Sequence, residues 1–147
     1  MAAISEGKTM IKKFIDRFIE KKADLQAAFS ASHPEDYQAV VKAVVSVLNN
    51  PDDYESIDPE RIHESNDGEY EGTLVFVIGA TGYQPSDYWY VKVSYGSCGA
   101  CDTLEAIRGY SYDKPTAEHV RNYMTLALHI VRKILVKIPK KLSLCWL

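Results

Sequence analysis

The stretch of sequence that decides the fold is YWYVKVSY, residues 88–95. Its side chains alternate with a period of two, which is typical of a β-strand with one buried face. The alternation assigns two sets of four residues to opposite faces: Trp89, Val91, Val93 and Tyr95 to the first, and Tyr88, Tyr90, Lys92 and Ser94 to the second. We predict that the first face contacts the core and that the second presents two tyrosines beside a lysine.

A second strand is predicted over residues 69–78. Its end, residues 73–78 (TLVFVI), is apolar on both faces, which is typical of a central strand. A turn precedes it at residues 65–68 (SNDG), because Asp-Gly tolerates the positive φ of a tight turn. Residues 61–64 predict a short edge strand before that turn. Together these runs predict an antiparallel β-meander of two or three strands.

Helical periodicity dominates the first third of the chain. Apolar residues recur at helical spacing over 8–29 and predict one long helix there. A second helix is predicted to begin at Ser32 as the cap, with Pro34 in its first turn. It ends at the Asn-Asn-Pro run of residues 49–51, because the residue before proline avoids helical torsion angles.

Two further helices are predicted after the sheet. Asp102 is the predicted cap of a short helix that ends at Gly109. A long helix runs from Pro115 to Pro139, and the tail at 139–147 either packs back or stays loose. The sequence therefore predicts one α+β domain over residues 1–147. It has two N-terminal helices, a small antiparallel meander, a short helix and a long C-terminal helix.

The composition excludes several classes of protein. The 147 residues are 46% hydrophobic and 25% charged, which does not fit a disordered chain, a collagen-like fibre or a disulfide-rich miniprotein. No apolar run approaches the roughly 18 residues that span a bilayer. The first residues also lack the basic start and apolar stretch of a secretion signal. We expect a cytoplasmic protein without a membrane partner.

The net charge of −3 hides an uneven distribution. Residues 35–71 hold eleven acids against two bases, whereas residues 113–147 hold two acids and seven bases. One interpretation is that the acidic and basic segments pack side by side and neutralise each other. The other is an acidic surface that engages a basic partner, by electrostatic steering or by mimicking nucleic acid.

A loop of small residues, 96–101 (GSCGAC), joins the last strand to the short helix. Such a junction favours an anion and activates a thiol, so its candidate binding residues are Ser97, Cys98, Cys101, Asp102 and Thr103. The two cysteines are compatible with a redox pair, a zinc site, a lone catalytic thiol or simply two small buried side chains. Because no second pair of zinc ligands follows, we predict no metal and no cofactor. Cys98 and Cys101 remain the candidate ligands if a metal binds.

Aromatic residues form the second candidate site. Seven rings lie between Tyr83 and Tyr112. Tyrosine is favoured at recognition surfaces because its ring is large and rigid and its hydroxyl forms hydrogen bonds. The candidate binding residues here are Tyr88, Tyr90, Lys92 and Tyr95, unless the terminal helix covers this face. The few bases nearby disfavour nucleic acid as the partner.

Three runs resemble small bacteriophage and prophage proteins: residues 83–89 (YQPSDYW), 93–104 (VSYGSCGACDTL) and 122–129 (NYMTLALH). The resemblance covers residues 66–130, and its specific part is the cysteine-containing run. The related proteins tend to have glycine at the position of Ala100. The family has no established activity, so the resemblance implies only a phage gene product that acts inside a bacterium.

We therefore expect a non-enzymatic phage protein that binds a host or defence component, as an inhibitor or a sequestering protein, in the cytoplasm of the host. The contact would be made by the acidic segment 35–71, by the tyrosine-bearing strand, or by both. One alternative is a small anionic ligand, or thiol or metal chemistry, at the Cys98–Cys101 loop. The other is a virion assembly protein, which predicts a stable homo-oligomer.

Overall fold

The computed structural model describes residues 2–53, 56–66, 72–81, 88–96, 103–109 and 113–136, with side chains from residue 11 to residue 134. Within these ranges the chain has five helices and an antiparallel sheet, with helices at both ends. This confirms the predicted α+β fold. One cluster of buried side chains joins the helices to the sheet.

Two helices occupy the region where one was predicted over residues 8–29. α1 spans Ala2–Glu20 and α2 spans Lys22–Ala31, with a break at Lys21. Both helices bury large apolar side chains: Phe14, Phe18, Leu25 and Phe29. The spacing of these four residues continues at helical periodicity across the break. The apolar pattern therefore predicts the buried faces but not the point where the chain turns.

α3 spans Tyr37–Leu48, and its start differs from the prediction. The cap is Asp36, whose carboxylate accepts a hydrogen bond of 2.8 Å from the backbone N–H of Ala39. Ser32 is instead the extended residue that follows α2, and Pro34 precedes α3 rather than lying in its first turn. A carboxylate suits this position because it also interacts favourably with the helix dipole. The end of α3, before the Asn-Asn-Pro run, is confirmed.

The sheet has the strand order β1-β2-β3-β4, and each neighbouring pair is antiparallel. The strands are β1 (Ile57–Asn66), β2 (Gly72–Ala80), β3 (Tyr88–Tyr95) and β4 (Leu135–Val136). β3 has its predicted bounds, and β1 and β2 take the predicted edge and central positions. β1 is longer than the predicted run 61–64, because Ser65 and Asn66, which were predicted to lie in the turn, pair with β2 instead. β4 pairs only with the first part of β3, at Trp89 and Tyr90. The result is a three-stranded meander with a short fourth strand.

α4 spans Thr103–Arg108, and Gly109 ends it as predicted. Gly109 has a φ of +62°, a left-handed conformation that glycine adopts without steric cost. The predicted cap of this helix, Asp102, lies outside the described residues.

α5 spans Ala117–Lys133 and begins with a reciprocal cap. The hydroxyl of Thr116 accepts a hydrogen bond from the backbone N–H of His119, and the imidazole of His119 accepts one from the backbone N–H of Thr116. The helix ends at Lys133, earlier than predicted, because Leu135 and Val136 pair with β3 instead.

The predicted tail at 139–147 lies outside the described residues. Among the helices that the structure describes, none is both long enough and apolar enough to cross a membrane.

Candidate recognition surface

The sheet has an inner face that the helices cover. Six side chains on it are at most 8% exposed: Leu74, Phe76, Ile78, Trp89, Val91 and Val93. Phe14 of α1 packs against Trp89 with 6.2 Å between ring centroids. Burial alternates along β3 as the sequence predicts, so its first face is confirmed as part of the core.

The opposite face, which we call the outer face, carries the two predicted tyrosines. The strand register aligns His63, Val77 and Tyr90 in one row across three strands. The neighbouring row consists of Ser65, Val75 and Lys92. The two valines and Tyr90 are half-buried, and the other row ends, His63, Ser65 and Lys92, are exposed. α5 lies on the inner side, and no helix in the described ranges packs on the outer face.

Arg61 extends the outer face beside Tyr88. A Cβ atom placed on Gly79 would lie 3.4 Å from Cβ of Arg61 and 3.7 Å from a ring carbon of Tyr88. Both side chains therefore pack over this glycine. The guanidinium donates a hydrogen bond of 2.8 Å to the carbonyl of Ala80 and pairs with Asp58 at 3.2 Å. Arg61 is therefore held in place, and Tyr88 beside it is 42% exposed.

The outer face combines apolar area with donors and positive charge. Lys92 has no ion-pair partner, and the hydroxyls of Tyr88 and Tyr90 have no hydrogen-bond partner, in the part of the chain that the structure describes. Asp58 of β1 lies beside this face in its ion pair with Arg61, and the paired outer-face positions from His63 to Ser65, Thr73 to Val77 and Tyr88 to Ser94 carry no carboxylate. Such a surface suits a partner with apolar groups and acidic or hydrogen-bonding groups around them.

The other predicted site residues do not share this face. Tyr95 lies on the inner side of β3, where its hydroxyl donates a hydrogen bond of 2.6 Å to Oδ1 of Asn66 and links β3 to β1. Thr103 is exposed at the start of α4. Ser97, Cys98, Cys101 and Asp102 lie outside the described residues. The structure thus brings together Tyr88, Tyr90 and Lys92 but places Tyr95 elsewhere.

Sequence reasoning missed the other members of the outer face. Val75 and Val77 belong to a run that is apolar on both faces, so the alternation that distinguishes the faces of β3 is absent from β2. His63 joins the row only through strand register, which depends on the pairing of β1 with β2.

The acidic segment is partly engaged within itself. Asp36 caps α3, Asp58 pairs with Arg61, and Glu60 lies 3.7 Å from the amine of Lys42. The described ion pairs join no acid of residues 35–66 to a base of residues 113–136. These ion pairs therefore give no evidence that the two segments neutralise each other. The described acids lie just before α3, in the loop after it and on β1.

A buried tyrosine and a histidine form a second polar cluster. Nδ1 of His33 lies 2.6 Å from the hydroxyl of Tyr123, and Nε2 lies 3.0 Å from the carbonyl oxygen of Asp113. Because a carbonyl only accepts, Nε2 carries the proton and Nδ1 accepts from the Tyr123 hydroxyl. The ring of His119 lies 4.9 Å from that of His33. No sequence motif indicates this cluster, since His33 and Tyr123 are 90 residues apart.

This cluster makes the neutral form of His33 the favoured one. Burial lowers the pKa of His33 below 6.5, and the nearby charges of His119 and Arg108 lower it further, against the opposing effect of the Asp113 carbonyl. Burial also raises the pKa of Tyr123, which keeps its hydroxyl as a donor.

We expect the fold to lose stability when the pH falls below the ordinary histidine pKa. The unfolded chain takes up a proton on His33 at a higher pH than the folded chain does. The stability that His33 contributes is therefore complete above about pH 6.5 and decreases below it. Urea unfolding at about pH 7.5 and about pH 5.5 measures this loss. His33→Gln should make the dependence of stability on pH shallower. If the stability of His33→Gln fell with pH as steeply as that of the wild type, His33 would not be the source of the loss.

Within the described residues, no group of three or more histidine, cysteine, aspartate or glutamate side chains is arranged to hold a metal ion. The cysteine loop, which the redox and zinc hypotheses require, is not among those residues. No family model, curated protein or solved structure matches the chain. The geometry of the outer face is thus the main basis for inferring what the protein does.

Proposed function

We propose that the protein is a non-enzymatic binding protein that acts on a host or defence component of a bacterium and uses the outer face for the contact. The observation that carries this proposal is the row His63, Val77 and Tyr90, with Lys92 in the next row, on a sheet face that no described helix covers. The resemblance of residues 66–130 to phage proteins supports the bacterial setting.

The chemistry of the outer face indicates the partner. Val75 and Val77 supply apolar area at the centre, and Tyr88 and Tyr90 supply rings with available hydroxyls around it. Tyrosine is enriched among the residues that carry most of the binding energy of an interface. Arg61 is already paired with Asp58, and Lys92 has no ion-pair partner in the described ranges, so we propose a protein partner with an apolar patch and a carboxylate at its rim.

The outer face is a stronger candidate than the acidic segment. Asp36, Asp58 and Glu60 already have local partners, which reduces the charge available to a second protein. The two surfaces also differ in the expected effect of salt. Contact through many acids weakens steeply as salt screens the charges, whereas contact through buried tyrosine and valine does not.

Affinity capture tests the proposal. The purified chain is immobilised, exposed to a bacterial lysate and washed at about 0.15 M and about 0.5 M salt, since exposed charges are strongly screened at the higher concentration. We expect one protein to remain bound at both concentrations. Val77→Asp, which places a charge in the centre of the outer face, should abolish its retention.

Ile19→Ser is the matched control for this experiment. Ile19 lies on α1, on the helical side of the sheet, and is the most exposed large apolar residue described, at 63%. We expect this variant to retain the partner as the wild type does. A partner that Val77→Asp retains, or one lost only at high salt, would contradict recognition by the outer face and favour the acidic segment. A virion assembly role would appear as capture of the chain by itself.

A further inference from the structure

A groove lies on the other side of β3, where that strand continues beyond its pairing with β4. The groove has a volume of about 380 Å³ and runs between this part of β3, α4 and α5. This volume is within the range of pockets that hold small molecules, about 300–1,000 Å³.

The polar lining of the groove has one sign of charge. Lys92 and Lys133 line it together with His129 and Asn122, and no aspartate or glutamate is among the lining residues. These four side chains have no hydrogen bond or ion pair with any other group in the described ranges. Two unpaired lysines that face the same space, in a chain with a net charge of −3, favour an anion there.

The groove also has four apolar lining residues, beside the uncharged polar residues Tyr37, Ser94, Thr103 and Thr125. Val93, Leu126 and Ile130 are at most 9% exposed, and Ile107 of α4 packs against the same core cluster. A bare inorganic anion would leave the exposed parts of these side chains in contact with water, whereas a ligand with an apolar part would cover them. The groove therefore matches a ligand that has both an anionic group and an apolar body.

We infer that this groove binds a small organic anion, with a phosphate or carboxylate group between Lys92 and Lys133 and an apolar body over Val93 and Leu126. The inference is independent of the proposed protein contact, because Lys133, His129 and the apolar lining lie away from the outer face. Lys92 and Ser94 of β3 belong to both surfaces. The variants that test the groove are therefore made at Lys133.

Calorimetric titration of the full chain tests the inference with defined probes. Adenosine 5′-monophosphate carries a phosphate and octanoate a carboxylate, each on a different organic body. Adenosine and octanol lack the anionic group, and inorganic phosphate lacks the organic body. We expect at least one organic anion to bind with a Kd below about 1 mM, and its neutral analogue and inorganic phosphate to bind at least tenfold more weakly.

Lys133→Gln should weaken binding of that anion by about tenfold, the usual effect of removing one charged hydrogen-bond donor. Arg132→Gln is the matched control, because it removes the same charge from the adjacent residue of α5, which does not line the groove. Tyr90→Ala should leave anion binding unchanged, which separates this site from the outer face.

Three outcomes would overturn the inference. They are the absence of saturable binding by both organic anions, equal binding of the neutral analogues, and equal weakening by Lys133→Gln and Arg132→Gln. Binding of an acidic peptide such as hexaglutamate, in the absence of binding by both small anions, would also overturn it and indicate a peptide site.

Discussion

We expect Phe76→Ala to lower the free energy of unfolding by about 3–5 kcal/mol, the usual cost of removing a buried ring. Phe76 is fully buried on the inner face of β2, the central strand of the meander. The strand backbone cannot move into the vacated space without disturbing its pairs with β1 and β3, so a cavity would remain. Urea unfolding followed by circular dichroism measures the change.

Val77→Ala is the matched comparison, since Val77 follows Phe76 in the strand and points to the outer face. Val77 is half-buried, and we expect its truncation to cost about 1 kcal/mol. The contrast between the two variants tests whether the outer face is open in solution. If Val77→Ala were as destabilising as Phe76→Ala, another part of the chain would cover this face, and it would not be available to a partner.

We expect Tyr90→Ala to weaken binding of the captured partner by at least about 2 kcal/mol, which is about 30-fold. Tyr90 lies beside Val77 in its row and is flanked along β3 by the more exposed Tyr88 and Lys92. Central aromatic residues of this kind lose the most binding energy on truncation, because surrounding contacts exclude water from them. Titration of the purified partner with the variant measures the effect.

Tyr95→Phe is the control for this prediction. It removes the hydroxyl that bonds Asn66 but leaves the outer face unchanged, since Tyr95 lies on the inner side. We expect partner affinity within about twofold of the wild type and only a modest loss of stability, near 1 kcal/mol. A larger loss of affinity in Tyr95→Phe than in Tyr90→Ala would place the contact at the far end of β3 instead.

The predicted bounds of β3 were right because one side of that strand is buried and the other is not. Burial on one side produces the alternation of Trp89, Val91 and Val93 with more polar residues, and a local pattern of this kind survives any arrangement of the rest of the chain. The end of α3 was predicted for a similar reason, since proline restricts the residue before it.

The helix breaks and caps depended on more than periodicity. Phe18 and Leu25 lie at a spacing that a continuous helix also satisfies, so the turn at Lys21 leaves no trace in the apolar pattern. Ser32 and Asp36 are both good capping residues, and only Asp36 accepts the N–H of Ala39. Leu135 and Val136 suit a helix or a strand, and the edge of β3 beside them decided the outcome.

The sequence by itself determined the α+β class, the strand at Tyr88–Tyr95 and the position of Tyr88, Tyr90 and Lys92 on one face of it, because these follow from the local spacing of apolar residues. The tertiary structure decided which residues join them. The alignment of His63 and Val77 with Tyr90 depends on strand register, and the groove depends on where α4 and α5 pack against β3. Both are set by contacts between residues far apart in the chain, which no local pattern encodes.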